Sequence, residues 1–287
     1  MEITRFAPSP TGHLHIGGAR TALFSYLFAK ANNGNFLLRF EDTDRERSKE
    51  EYVESILKSL DWMNIKLDSD PVYQSKKITQ HKDLAIELYK KGLAYACDCN
   101  EEALTKMREE QIAKKQKPKY DGLNRNKEIK YAEGMVLRFK FPQEGVSKFK
   151  DLILGDISIN NKEFDDFIIL RKDGSPTYNF SAAVDDMDMK ITTVIRGDDH
   201  ITNTLKQINV LNAFGAKIPS YAHLPMVLAE SGKRLSKRDG AKDILDYKEE
   251  GYLSDALINY LVRLGWSHGE EEVFSLDELK KIFKLNQ

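Results

Sequence analysis

The chain has 287 residues, with 44 basic and 45 acidic side chains and a formal net charge of −1, so nucleic-acid binding would need a local basic surface rather than an overall field. Hydrophobic residues make up 41% and charged residues 31%, the composition of an ordinary globular chain, and no apolar run approaches the roughly 18 residues of a membrane-spanning helix. The opening residues show no charged-then-apolar signal region, and two cysteines, Cys97 and Cys99, are too few for a disulfide framework, so a reducing, cytoplasmic setting is expected.

Residues 4–6 read as a strand, ended by the prolines of "PSPTGHLHIGGAR", residues 8–20. Ala19, Ala22, Leu23, Tyr26 and Leu27 then recur at helical spacing up to an Asn-Asn-Gly stop at 32–34. "FLLRF" at 36–40 has strand length, and Val53, Ile56, Leu57 and Leu60 mark a second amphipathic helix. Strand and helix alternating through short loops predict a parallel α/β sheet. A third helix over about 78–91 closes at Gly92. From Tyr95 to Tyr131 the chain is densely charged, and in "VLRFKF" Leu137, Phe139 and Phe141 alternate with Arg138 and Lys140, the pattern of a half-buried antiparallel strand. "DFIILRKDGSPTYNF" reads as two strands around a Lys-Asp-Gly turn. Parallel character returns with "ITTVIRG", a helix bearing Leu205, Ile208 and Leu211, and the short strand candidate "HLPMVL". A Gly/Lys/Ser loop at 231–240 leads to a helix that Ser254 is expected to cap and to a capping box from Ser275 to Glu278. The predicted units are therefore a parallel α/β unit at 1–75, an α+β insertion at 76–177, the second half of the parallel unit at 178–240, and a helical segment at 241–287.

Two stretches carry chemistry. In the first, Gly17 and Gly18 leave bare backbone N–H groups at a helix start, suited to phosphate, and His13 and His15 can donate hydrogen bonds to its oxygens. A polar surface loop with incidental histidines is the plainer alternative, and no further cysteine or histidine nearby supports a metal. In the second, "KRLSKRDG" at 233–240, four basic residues and a serine can neutralise charge developing on a phosphate. The basic run "AKKQKPK" at 113–119 reads as a solvated helix end.

In this order, "HIGG" at the first strand-to-helix turn and a late "RLSKR" are similar to the two signatures of class I aminoacyl-tRNA synthetases. "RFAPSPTGHLHIGGARTALFSYLFA", "LLRFEDTDRERS", "PTYNF", "VIRGDDHITNT", "KRLSKRDGA" and "LINYLVRLGWSHG" resemble the bacterial glutamyl-tRNA synthetase family over essentially the whole chain, from Ile3 to about Phe274. The resemblance implies a Rossmann-type parallel-sheet catalytic domain, an inserted acceptor-arm-binding domain at 76–177, and the start of a helical stem-contact region. It implies glutamate binding by Arg5, Ala7, Ser9, Glu41, Tyr178 and Arg196. Glu41 would accept from the α-ammonium, while Arg5, Tyr178 and Arg196 would hold carboxylate oxygens and reject neutral glutamine. Residue by residue, Arg5 also fits a strand-end salt bridge, and Ala182 stands where some relatives carry an asparagine.

The same resemblance implies ATP binding by His15, Gly17, Gly18, Arg234, Ser236 and Lys237, with His13, His15 and Lys237 as catalytic residues. The late motif begins with Arg234 rather than lysine and carries a leucine, both usual variants in this family. Glutamate, ATP with Mg²⁺, and tRNA(Glu) would be the substrates, and the enzyme would be a monomer. Some relatives hold zinc in the insertion through a C-x-C pair and a second pair about two dozen residues on. Here Cys97 and Cys99 match the first pair, but Asn124 and Asn126 occupy the second, so no zinc is expected. The family also continues into a large helical anticodon-binding region, so the sequence is expected to be a piece of a longer chain. Alternatives are a short relative that glutamylates a modified tRNA base, against which stands the intact "LVRLGWSHGEEEVFS", and a non-catalytic nucleotide- or RNA-binding derivative, against which stand His15, Glu41 and Lys237.

Overall fold

The computed structural model describes residues 1–44, 46–228 and 242–285. β1 (Ile3–Phe6) passes through the breaker-rich turn into α1 (Ile16–Ala31), followed by β2 (Asn35–Phe40), α2 (Glu50–Trp62) and the short β3 (Val72–Tyr73). The three strands are parallel neighbours in the order β1-β2-β3, with Ile3 opposite Asn35 and Arg39 opposite Val72. α1 is apolar on nearly every side, and ten of its 16 residues are buried, the pattern of a helix covered all round rather than on one stripe. Its stop is as the sequence indicates. Asn32 caps it, Asn33 takes a left-handed φ of 51°, and a Cβ on Gly34 would lie 2.2 Å from the Glu2 carbonyl oxygen. Only glycine lets the helix end approach the first strand that closely.

α3 (Ile78–Lys90) ends before Gly92, whose φ is +72°. Then come β4 (Ala94–Cys97), α4 (Glu101–Ala113), β5 (Val136–Phe139), β6 (Val146–Asp151), β7 (Gly155–Asn160) and β8 (Ile168–Leu170). β4, β5 and β8 form an antiparallel sheet in that order, as the alternation in "VLRFKF" predicts. α4 buries none of its residues. The second strand expected after the Lys-Asp-Gly turn shrinks to one bridge between Leu170 and Pro176. Proline has no N–H to extend the ladder, and Tyr178 instead opens α5 (Tyr178–Asp188).

β9 (Thr193–Gly197), α6 (Ile201–Ala213) and β10 (Ser220–Leu224) complete the central sheet, and α7 (Ile244–Glu249), α8 (Ser254–Arg263) and α9 (Leu276–Ile282) follow. Ser254 is the first residue of α8 rather than its cap: Leu253 holds that position with no side-chain bond. The Ser275–Glu278 capping box is present in both directions. The second sheet has the order β7-β6-β10-β9, with β9 and β6 both parallel to β10. The hairpin β6–β7, within the 76–177 stretch, thus returns to the central sheet through Asp151 opposite Tyr221. Ile3 N–H donates to Thr192 Oγ1 at 2.7 Å and Thr192 N–H to the Ile3 carbonyl at 2.9 Å, seating β1 beside β9.

The largest apolar core joins α1, β1 and β2 to α2, α8 and α9, and a second joins α3 and the β4-β5-β8 sheet to α5 and α6. From the β1/β9 junction the chain runs outward through β2 and β3 on one side and to β10 on the other. Such a switch point leaves a crevice beyond the carboxyl ends of the strands.

Candidate active site

A cleft of about 690 Å³ lies at that crevice. Its lining includes residues that leave the strands: Ala7 and Ser9 after β1, Glu41 after β2, Gln74 after β3, Gly197 and His200 around the end of β9, and Met226 after β10. Ten of the residues singled out from the sequence line this one cleft: Arg5, Ala7, Ser9, His13, His15, Gly17, Gly18, Glu41, Tyr178 and Arg196. Arg234, Ser236 and Lys237 lie outside the described residues. Ala182 is buried and does not line the cleft.

Arg5 makes the salt bridge that its place at a strand end suggests, and it also lines the cleft. Its Nε and Nη2 donate to Asp186 at 3.0 and 3.4 Å. Asp186 also accepts from Arg39 Nη1 at 2.7 Å, and Arg39 Nη2 reaches Glu41 Oε1 at 3.4 Å. All four groups are nearly or wholly out of water, with side chains at most 10% exposed. Burial raises the Asp186 carboxyl, but Arg5 and Arg39 outweigh it and hold the group below the usual carboxylate range. Burial also raises Glu41, and there Arg39 and Arg5 offset it only partly, leaving it above the usual range. Asp186 sits 181 residues from Arg5, and no local pattern in the sequence marks the pair.

On the facing side Arg196 Nη1 lies 3.4 Å from Tyr178 Oη, which is itself 3.2 Å from His200 Nδ1. Burial, then Arg196, lowers His200 to about 4, so its ring is neutral at pH 7. Burial raises the Tyr178 phenol, with Arg196 opposing. His200, Gln74 and Arg171 are lining residues that the sequence reading did not single out. The cleft thus offers a buried carboxylate, two arginines and a phenol, a donor set for a ligand with an ammonium and more than one carboxylate.

The N-terminus of α1 forms another wall, with no acidic side chain in its first turn to oppose an anion. His15 is its cap: Nδ1 accepts from Gly18 N–H at 3.4 Å, which places the ring proton on Nε2. A Cβ on Gly18 would meet Leu14 Cδ1 at 2.8 Å, so that glycine serves packing. On Gly17 a Cβ would meet the His15 ring at 3.2 Å. His13 Nδ1 pairs with Ser55 Oγ at 2.8 Å, and the ring meets Tyr52 edge-on.

The cysteines lie apart from this cleft. Arg138 Nε is 3.4 Å from Cys97 Sγ, and its guanidinium sits over the Tyr120 ring, 3.7 Å from the centroid. Asn124 Nδ2 bonds Asp98 and lies 3.9 Å from Cys97 Sγ, whereas Asn126 is exposed. Burial raises the Cys97 thiol, but bonds from the Cys99 N–H and Arg138 outweigh it, leaving it below its ordinary value. A cation already stands beside the thiol where a metal would need a negative ligand set.

A protein named glutamate--tRNA ligase 1 from Coxiella burnetii is 55% identical over 284 residues, covering 99% of this chain and 61% of the relative. One named glutamate--tRNA ligase from Legionella pneumophila is 54% identical over 284 residues, covering 98% and 60%. The crystal structure of a glutamate tRNA ligase from Elizabethkingia meningosepticum, in complex with its amino acid, superposes with a TM-score of 0.90 at 35% identity, covering 99% of this chain and 65% of that one. The chain therefore spans about three fifths of the length of these curated relatives. The family model described as tRNA synthetases class I (E and Q), catalytic domain, matches residues 3–287, and with the cleft and its whole framework inside that match, the chain belongs to this family.

Proposed function

We propose that the chain is the catalytic part of a glutamate–tRNA ligase. It would activate L-glutamate with ATP and transfer it to the 3′-terminal adenosine of tRNA(Glu). The observation that carries this reading is the convergence, in one cleft at the β1/β9 switch point, of Glu41, Arg5, Arg196 and Tyr178 with the N-terminus of α1. The relatives named for this activity support it.

In the first step a glutamate α-carboxylate oxygen attacks the α-phosphorus of ATP and pyrophosphate leaves. In the second a hydroxyl of the terminal adenosine attacks the carbonyl carbon and AMP leaves. The attacking group of the first step is already ionised, so catalysis is placement and charge stabilisation. Glu41 takes the ammonium, while Arg5, Arg196 and Tyr178 take carboxylate oxygens, with the backbone of Ala7 and Ser9 alongside. The α1 N-terminus, with His13, His15, Gly17 and Gly18, faces the phosphates. Arg234, Ser236 and Lys237 would complete the ATP site, Lys237 stabilising the charge on the α-phosphate. Mg²⁺ enters with ATP as part of that substrate, held mainly by the phosphates.

The division proposed is a Rossmann-type domain in two parts, 1–75 and 178–240, an acceptor-arm-binding insertion at 76–177 and a stem-contact segment at 241–287. The protein is proposed to be a cytoplasmic, zinc-free monomer. Glutamate-dependent ATP–pyrophosphate exchange, with and without tRNA, tests the reading on this chain, on a longer version and on Lys237→Ala. Exchange that needs glutamate and falls sharply in Lys237→Ala is the expected result. Silence of both wild-type forms with tRNA present would refute it.

A further inference from the structure

We propose that Asp151 is a positioning residue for Arg196, acting through His223 and Thr204, and so sets the geometry of one carboxylate-binding group. The role of Arg196 in it rests on the glutamate reading of the cleft.

Only one edge of the Arg196 guanidinium meets Tyr178. Its other donors turn inward: Nη2 donates to Thr204 Oγ1 at 2.6 Å and Nε to His223 Nε2 at 3.4 Å. Thr204 Oγ1 and His223 Nε2 are 2.9 Å apart, and His223 Nδ1 lies 2.6 Å from Asp151 Oδ2. The other oxygen of Asp151 is fixed from behind, accepting from the backbone N–H of Ile153 and Leu154 at 2.9 Å and of His223 at 3.3 Å. Asp151, Thr204 and His223 are 2%, 0% and 0% exposed, so water does not substitute for any of these bonds.

The directions of the bonds follow from what each atom can do. A carboxylate only accepts, so Nδ1 of His223 carries the proton. Burial raises the Asp151 carboxyl, but the bonds from His223 and the backbone outweigh it and keep it ionised. Arg196 Nε–H only donates, so His223 Nε2 must be bare and the ring neutral. Thr204, whose hydroxyl also has the His200 carbonyl at 3.2 Å, then gives its proton to the nearer Nε2 at 2.9 Å and accepts from Arg196 Nη2. Carboxylate, imidazole and hydroxyl form one chain whose polarity is set at Asp151, in the way a buried carboxylate selects a histidine tautomer elsewhere. None of this is local. Asp151 lies on β6, 72 residues from His223, and reaches it because β6 pairs with β10.

Asp151→Asn keeps the shape and an oxygen for the backbone donors but presents an N–H to Nδ1. The proton then moves to Nε2 and faces the two donors of Thr204 and Arg196. Nitrogen-15 NMR of the chain labelled at histidine, with the His223 signal assigned through His223→Gln, reads the tautomer. The Arg196 Nε–H resonance, assigned through Arg196→Lys, reads the guanidinium. Glutamate and ATP dissociation constants complete the test. The Nδ1–H form is expected in the wild type. In Asp151→Asn the Nε2–H form, a shifted Arg196 Nε–H signal and about tenfold weaker glutamate binding are expected, with ATP binding changed less than about twofold. Thr204→Val should weaken glutamate similarly, and Thr204→Ser, which keeps the hydroxyl, should recover most of the loss. These variants carry the test should Asp151→Asn not fold. A wild-type His223 in the Nε2–H or cationic form overturns the proposal, as does a switched tautomer with glutamate affinity unchanged, or equal weakening of both ligands. A wild-type chain that binds no glutamate refutes the ligand reading instead, and the tautomer and the Arg196 signal then decide the relay on their own.

Discussion

Asp186→Ala removes the anion shared by two buried guanidiniums. Arg5 loses both bonds, at 3.0 and 3.4 Å, whereas Arg39 keeps Glu41 at 3.4 Å and Asp185 at 4.0 Å. Arg5 is thus the residue left uncompensated, at 4% exposure. Breaking a buried pair by deleting one partner costs about 3–5 kcal/mol, a large part of a typical folding free energy. Asp186→Asn keeps the shape and one accepting oxygen while losing the charge, so its cost falls to about 1–3 kcal/mol. The order of stability at pH 7 is wild type, then Asn, then Ala, measured as urea midpoints by the fluorescence of the two tryptophans. The pH dependence has a definite sign. The Asp186 carboxyl lies below its ordinary value in the fold, so its contribution is fully present above the unfolded value of about 3.9 and is lost as pH falls through the folded value. The gap between wild type and Asp186→Asn therefore closes in acid. A loss under about 1 kcal/mol for Asp186→Ala at pH 7 would refute the reasoning, since Arg5 would then have found another anion at no cost.

Glu41 has the opposite shift, above the usual carboxylate range, so glutamate binding should weaken as pH falls through that raised value, and Glu41→Gln should bind weakly with no such dependence; calorimetric titration across pH checks both. Arg5→Ala is expected to weaken glutamate binding far more than ATP binding, and equal loss of the two would remove it from the amino-acid pocket. Gly34→Ala would put a methyl 2.2 Å from a backbone carbonyl oxygen, a cost of about 1–3 kcal/mol visible as a lower urea midpoint. Elemental analysis should find no zinc, and one zinc per chain would overturn the reading of Cys97, Cys99 and the asparagines.

Much of the framework was legible as sequence because its causes are local. The apolar spacing of α1, its Asn-Asn-Gly stop and the Ser275 capping box each depend on residues within one element and stand as read, whereas β5 is antiparallel as its alternation indicates but buries Arg138 as well as Leu137 and Phe139. The hairpin β6–β7 was missed, since six-residue strands with alternating exposure carry little apolar signal. The run up to Tyr178 looks extended in sequence, but Pro176 ends that ladder and Tyr178 opens α5.

The sequence by itself pointed to side chains that could do chemistry: the histidines and glycines of the first turn by their local pattern, and Glu41, the arginines and the tyrosine by resemblance. Only the tertiary structure decided how those groups are held. Asp186 shared between Arg5 and Arg39, and Asp151 brought to His223 by β6 on β10, both arise from partners far apart in the chain. Periodicity reports a residue's own element and the face it buries. Which charge meets which is set by strand order, and strand order is a property of the folded whole.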